Sequence, residues 1–256
     1  MTLFSLTDLT VDVPGRRLLH GLTLEVPKGK LVALIGHNGS GKSTLLKTLA
    51  RQMPTSGGAV RLDGRDLGAW SARAIARRLA FLPQATPPAD GMTVAELVAL
   101  GRYPWHGALG RFTPDDHAAV ARALSECGVA GLADRLVDTL SGGERQRAWL
   151  AMMVAQGAEA LLLDEPISAL DVSHAVEVMT LVRAMCHDQG RSAVVVLHEV
   201  NMAARYCDHV IALRDGAVVM QGTPADLMRP DTLRHVYGLP MTVLTRPNGP
   251  PVAVPA

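Results

Sequence analysis

The chain has 256 residues, a formal charge of +1 and 48% hydrophobic residues, which is enough to bury a sizeable core in one large domain or two small ones. Lys and Arg are interspersed with Asp and Glu, so there is no concentrated basic surface of the kind that binds nucleic-acid backbones, and no nucleic-acid partner is expected. Apolar runs such as "LVALI" and "AVVVL" fall far short of the ~20 residues that cross a bilayer, and Cys127, Cys186 and Cys207 show no metal-ligand spacing, as for spectator thiols in a reducing cytosol. The start "MTLFSLTDLT" has no basic segment followed by an apolar one, so no export signal is expected.

In chain order, short apolar runs alternate with longer helical patterns, which predicts an α/β domain around a mainly parallel sheet. "KLVALIG" reads as a strand that feeds a glycine-rich loop, and "KSTLLKTLARQ" as the helix after it. "GAVRLDG" and "RLAFLPQ" read as further strands with "ARAIARR" helical between them. From about Pro87 to Gln156 the pattern turns helical, in "TVAELVALG", "PDDHAAVARALSECG" and the run after "LSGGE", and predicts an inserted helical lobe. Strands return with "ALLLDEP", "SAVVVLH" and "HVIALRDGAVVMQG". The tail, residues 241–256, is too rich in proline to predict a core element.

Gly36-x-x-x-x-Gly41-Lys42-Ser43 follows a predicted strand and opens a predicted helix, the setting a phosphate-binding loop requires. Backbone N–H groups across Gly36, His37, Asn38, Gly39, Ser40 and Gly41 can approach phosphate oxygens, Lys42 can reach the terminal phosphates, and Ser43 can ligate Mg²⁺. Asp164 and Glu165 close a buried-type strand; beside the loop, they suit a metal-facing carboxylate and a base for the attacking water. Read alone, His198 after "AVVVL" and Gln84 after "LAFLP" fit core residues as readily as ligands, yet both stand at strand ends, where open α/β sheets collect ligands. "LSGGERQR" sets Ser141, Gly142 and Gly143 ahead of a helix and so prepares a second anion-binding N-terminus on the same chain.

With "GHNGSGKST", Gln84, "LSGGERQR", "LLLDEP", "SALD" and His198 in this order, residues 3–240 resemble the ATP-binding subunit of ABC transporters. The resemblance implies a P-loop NTPase fold with a RecA-like core, an antiparallel β subdomain and a helical subdomain inserted at about 87–156. It implies a homodimer that holds two ATP molecules head to tail, each chain's Ser141, Gly142 and Gly143 serving the partner's γ-phosphate, with Asp171 at the seam. It also implies that Lys42 and Thr44 lie at the phosphates, that Ser43, Gln84 and Asp164 lie on Mg²⁺, and that Glu165 is the catalytic carboxylate. His198 is then the γ-phosphate switch, and Gln84 a sensor of the metal and γ-phosphate linked to the helical lobe.

Three positions depart from the family pattern. Val11 stands where an aromatic residue usually stacks on adenine, which predicts weak discrimination of ATP from GTP; Ile167 and Glu199 replace the usual Thr and Asp away from the reacting groups.

The runs "GMTVAELVALGRYPWHGALGRF" and "NMAARYCDHVIALRDGAVVMQGTPADLM" resemble importers of iron-siderophore complexes, heme and cobalamin, most of all the ferric hydroxamate (ferrichrome-type) group. That implies a peripheral subunit on the cytoplasmic face of the bacterial inner membrane, a separate integral permease and, indirectly, a periplasmic siderophore-binding protein. Tyr103, Trp105 and Phe112, with Arg102 and Arg111, have a docking composition, or else close the lobe's own small core. A soluble ABC ATPase of DNA repair or the ribosome is the competing class, and it usually carries a coiled-coil insertion or tandem cassettes that this sequence lacks.

Overall fold

The computed structural model describes residues 1–107 and 110–256; Ala108 and Leu109, part of the stretch expected to face a permease, lie outside the described residues. The chain opens with two long strands, β1 (Thr2–Val13) and β2 (Arg16–Pro27), and continues through β3 (Leu31–Ile35), α1 (Lys42–Leu49), β4 (Gly57–Leu62) and β5 (Arg65–Asp66). Next come α2 (Ala72–Arg78), β6 (Leu79–Leu82), helices α3 (Val94–Leu100), α4 (Tyr103–His106), α5 (Pro114–Glu126) and α6 (Gly142–Gln156), then β7 (Ala160–Leu163) and α7 (Val172–His187). The last part holds β8 (Ser192–Val196), α8 (Val200–Tyr206), β9 (His209–Arg214), β10 (Ala217–Gly222), α9 (Pro224–Leu227), α10 (Pro230–Tyr237), β11 (Met241–Leu244) and β12 (Val252–Pro255). These elements fall into two compact units, Met1–Ala69 with Val182–Ala256, and Trp70–Leu181.

In the first unit β3 lies between β8 and β9, parallel to both, and β10 returns antiparallel along β9. Every residue of β3 and β8 is buried, which is why both read as unbroken apolar runs rather than alternating ones. A second, antiparallel sheet runs in the order β2, β1, β4, β5, and Phe4, Leu6, Leu9 and Val11 of β1 are buried in it. The tail differs from expectation: β11 and β12 pair as an antiparallel hairpin, with the proline-bearing segment as its turn. Asn201 on α8 receives the Ala253 N–H at 2.8 Å and donates to its carbonyl at 3.1 Å, so one side chain satisfies both backbone groups of a residue that is 4% exposed.

In the second unit β6 and β7 run parallel, and α3, α5 and α6 pack together around Leu97, Val98, Ala123, Leu150 and Val154. Each of these helices starts in a reciprocal cap, Thr93 with Glu96, Thr113 with Asp116 and Ser141 with Glu144, which fixes where it begins. Arg102 joins all three: it follows α3 closely, binds Asp116 of α5 at 2.8 Å and reaches the Ala155 carbonyl of α6 at 2.8 Å. Among the described residues no helix is long and apolar enough to cross a membrane. The three cysteines are free and buried; burial pushes the Cys186 thiol up to about 12 and raises that of Cys207 as well, so neither forms a thiolate near neutral pH.

Candidate functional site

Parallel register places expected site residues at strand ends in each unit. In the first, Leu34 of β3 faces Val196 of β8, so Gly36 and His198 both emerge two residues beyond a paired position, at the carboxyl ends of adjacent strands. The Leu197 N–H extends the ladder to the Leu34 carbonyl at 3.1 Å, and His198 follows it, exposed. The loop from Gly36 wraps over the start of α1. A Cβ on Gly36 would sit 2.1 Å from the Leu213 carbonyl oxygen, so only glycine lets the loop lie this close to β9. Lys42, 5% exposed, folds back and donates to the carbonyls of Gly36 and His37 at 2.8 Å each, while His37, Asn38 and Gly39 are exposed at the crest. Ser40 Oγ is buried and has no hydrogen-bond partner, an orphaned polar atom inside the loop.

In the second unit Leu82 of β6 faces Leu163 of β7, and again the groups of interest stand two residues on: Gln84 Nε2 donates to Glu165 Oε2 at 2.7 Å. Asp164 lies between, 1% exposed, its N–H bonded to the Leu82 carbonyl at 2.9 Å. Glu165 has a φ of 53°, in the left-handed region that costs a non-glycine residue on the order of 1 kcal/mol or more. Its carbonyl is held by the Ser168 N–H and hydroxyl, at 3.3 and 3.1 Å. Among the described residues four other non-glycine residues share that region, and three of them, Asp8, Asp63 and Asp215, are of a type that tolerates it; a glutamate is the more unusual occupant.

The signature run forms the N-terminus of α6 in the same unit. Ser141 caps the helix, accepting from the Glu144 N–H at 3.3 Å, and Ser141 and Gly142 are exposed while Gly143 is buried. The start of α7 lies against it. Asp171 Oδ1 accepts from the Ser173 hydroxyl and the His174 N–H, both at 2.9 Å, and Oδ2 pairs with His174 Nδ1 at 2.8 Å. The His174 N–H, then its imidazole, then the Ser173 hydroxyl pull the Asp171 carboxyl down to about 2.

The expected site residues therefore fall in two sets, Gly36–Thr44 with His198 in the first unit, and Gln84, Asp164, Glu165, Ser141–Gly143 and Asp171 in the second. The expected metal-facing groups, Ser43, Gln84 and Asp164, supply oxygen donors, the hard set that Mg²⁺ takes. Among the described residues no three His, Cys, Asp or Glu gather where they could hold a metal ion.

One expectation is corrected. Val11 is fully buried in β1 and offers no surface on which a base could stack; Val13, two residues on at the end of the strand, is 36% exposed. The weak base discrimination predicted from Val11 thus loses its premise. The aromatic stretch divides as well. The guanidinium groups of Arg77 and Arg102 stand 4.5 and 4.9 Å from the Trp105 ring centre and its indole N–H donates to the Gln156 carbonyl at 2.8 Å, so the ring is tied to its own unit while 38% exposed. Phe112 packs edge-on against His106 and His117, and Tyr103 alone of the three is mostly exposed, at 57%.

Two residues went unread in the sequence. Tyr237 ends α10 edge-on to His37 of the phosphate loop, 5.9 Å between ring centres, its unpartnered hydroxyl raised to about 12 by burial. His174 carried a signal, three residues past Asp171 at the start of a helix, where a side chain returns over the first turn.

Comparison with known proteins gives a consistent result. The ABC transporter family matches residues 19–168. The iron(3+)-hydroxamate import ATP-binding protein of Bacillus subtilis (strain 168) is 41% identical over 97% of this chain and 92% of its own length. The ferric enterobactin transport ATP-binding protein of Escherichia coli (strain K12) is 43% identical, with the same shares covered. A dimeric ATP-binding cassette in a post-hydrolysis state, bound to ADP and Pi, superposes with a TM-score of 0.75 at 24% identity, over 87% of this chain and 99% of that one, a likeness of fold.

Proposed function

Since the chain belongs to the ABC transporter family, we propose that it is the ATP-hydrolysing subunit of an importer that drives uptake of ferric hydroxamate siderophores through a separate permease. It works as a homodimer at the cytoplasmic face of the bacterial inner membrane, and a periplasmic binding protein delivers the cargo to the permease. The observation that carries the cargo assignment is the near full-length likeness to the iron(3+)-hydroxamate import protein.

In this reading Lys42 leaves the Gly36 and His37 carbonyls for the terminal phosphates of ATP, and loop N–H groups hold the remaining oxygens. Ser43, Gln84 and Asp164 would hold Mg²⁺, which would supply neutralisation of phosphate charge. Glu165, oriented by Gln84, accepts the proton of the water that attacks the γ-phosphate, and His198 hydrogen-bonds the γ-phosphate as it leaves. Ser141, Gly142 and Gly143 of one copy contact the γ-phosphate held by the other. Val172, 81% exposed beside Asp171, supports an apolar seam there. Hydrolysis removes the group both copies share, a differential interaction that opens the dimer and resets the permease.

The test is ATPase rate in proteoliposomes that hold this chain with its candidate permease, with binding protein loaded in turn with ferric hydroxamate, ferric enterobactin, hemin or cobalamin. Stimulation by the hydroxamate complex alone is expected. The ferric enterobactin relative is as similar to this chain, so enterobactin is the second cargo, and stimulation by it instead keeps the motor and replaces the load. No stimulation by any, with basal turnover intact, would favour a soluble ATPase.

A further inference from the structure

His174 belongs to none of the motifs, yet it touches two of them. A Cβ built on Gly143 would lie 2.2 Å from His174 Cδ2 and 2.5 Å from Cγ, so the imidazole rests on the bare Cα of the signature glycine. Its Nδ1 and its own N–H bind the two oxygens of Asp171. Leu170, just before α7, and Glu177 on it lie on the same side as His174. Leu170 Cδ2 would stand 3.5 Å from a Cβ on Gly142, and Glu177 is bonded to Arg147 one turn into α6. The two helix starts are thus joined at Leu170, His174 and Glu177, and only at His174 does one side chain hold both a signature residue and the loop carboxylate. The side chain is 32% exposed, so filling a core does not account for it, and an apolar residue that packed on Gly143 would leave Asp171 without its imidazole partner.

We infer that His174 is a positioning residue, which locks the signature turn Ser141–Gly143 and the Asp171 carboxylate into one rigid face presented to the nucleotide of a second copy. The inference rests on the proposed head-to-tail dimer. It places no demand on nucleotide binding by a single copy, because Lys42 and the phosphate loop lie in the other compact unit.

The experiment uses the full chain with His174→Ala and His174→Asn, the latter keeping an amide donor near the position of Nδ1 without the ring. Binding of a fluorescent ATP analogue by the monomer should stay within about two-fold of the parent, while kcat falls about ten-fold in His174→Ala, the loss expected of a misplaced contact. In a Glu165→Gln background, which traps the ATP-bound dimer, His174→Ala should shift light-scattering mass toward monomer at ATP concentrations that dimerise the parent. His174→Asn should recover at least half of the lost rate, and should carry the test if His174→Ala does not fold. Parent-like turnover and dimerisation in His174→Ala overturn the inference, as does a His174→Asn variant that loses as much as His174→Ala. If the parent chain neither hydrolyses ATP nor dimerises with it, the dimer reading itself has failed; if the parent does both and the variants match it, only the role of His174 has.

Discussion

A base stacked at the end of β1 would meet Val13, because β1 shifts its register against β2 between Val11 and Asp12 and ends at Val13, which leaves Val11 buried and Val13 36% exposed. Val13→Tyr should therefore tighten ATP binding at least about five-fold, since a base stacked on an aromatic ring gains ~1–3 kcal/mol. Val11→Tyr should leave binding no tighter and lower the melting midpoint by overpacking a filled site. Titration with a fluorescent ATP analogue and a thermal melt check both, and unchanged affinity in Val13→Tyr would take Val13 away from the base. Elsewhere single residues carry paired duties that their neighbours in sequence do not reveal. Gln84 donates to Glu165 from 81 positions away, and Lys42 is held by the carbonyls of Gly36 and His37 in its own loop.

At the scale of elements, the helices of the second unit depend on how α5 starts. The Thr113 N–H, then Arg102, then the Thr113 hydroxyl hold the Asp116 carboxyl well below the usual carboxylate range. A depressed carboxyl stabilises the fold above its unfolded value of about 3.9, and the contribution disappears as pH falls through the folded value. Asp116→Asn should thus melt lower than the parent at pH 7, and the gap should narrow on acidification below about pH 4. Melting midpoints taken from pH 7 down to well below pH 4 read this directly, and curves that stay parallel below pH 4 would exclude the mechanism. The tail hairpin depends on Asn201 in a comparable way. Asn201→Ala strands two backbone groups of Ala253, a cost of roughly 1–3 kcal/mol, so amide exchange at Ala253 and Val254 should accelerate about ten-fold or more. Unchanged exchange would mean that other contacts hold the hairpin. This element was not legible in the sequence: "MTVL" and "VAVP" are short, flank a proline-rich turn, and gain their reason to pair from distant elements, α10 against β11 and α8 against β12. The phosphate loop, α1 and α6 were legible, because their glycines, caps and periodicity lie within a few consecutive residues.

For the whole molecule, one device occurs twice. A pair of parallel strands in each unit ends in register, and the residues two positions beyond the register, Gly36 with His198 and Gln84 with Glu165, are those assigned to the nucleotide. Members of each pair lie far apart in the chain, so their meeting depends on which strands pair and in what register. The amino-acid sequence by itself determined the family, the alternation of strands and helices and the identity of the motif residues, since each rests on spacing and backbone preference over a few neighbouring positions. Only the tertiary structure decided that Val11 is buried and Val13 is not, that Trp105 is tied to its own unit, and that His174 joins Gly143 to Asp171. Those outcomes depend on which way a side chain points and what a distant segment brings against it, and packing between elements, rather than local propensity, sets both.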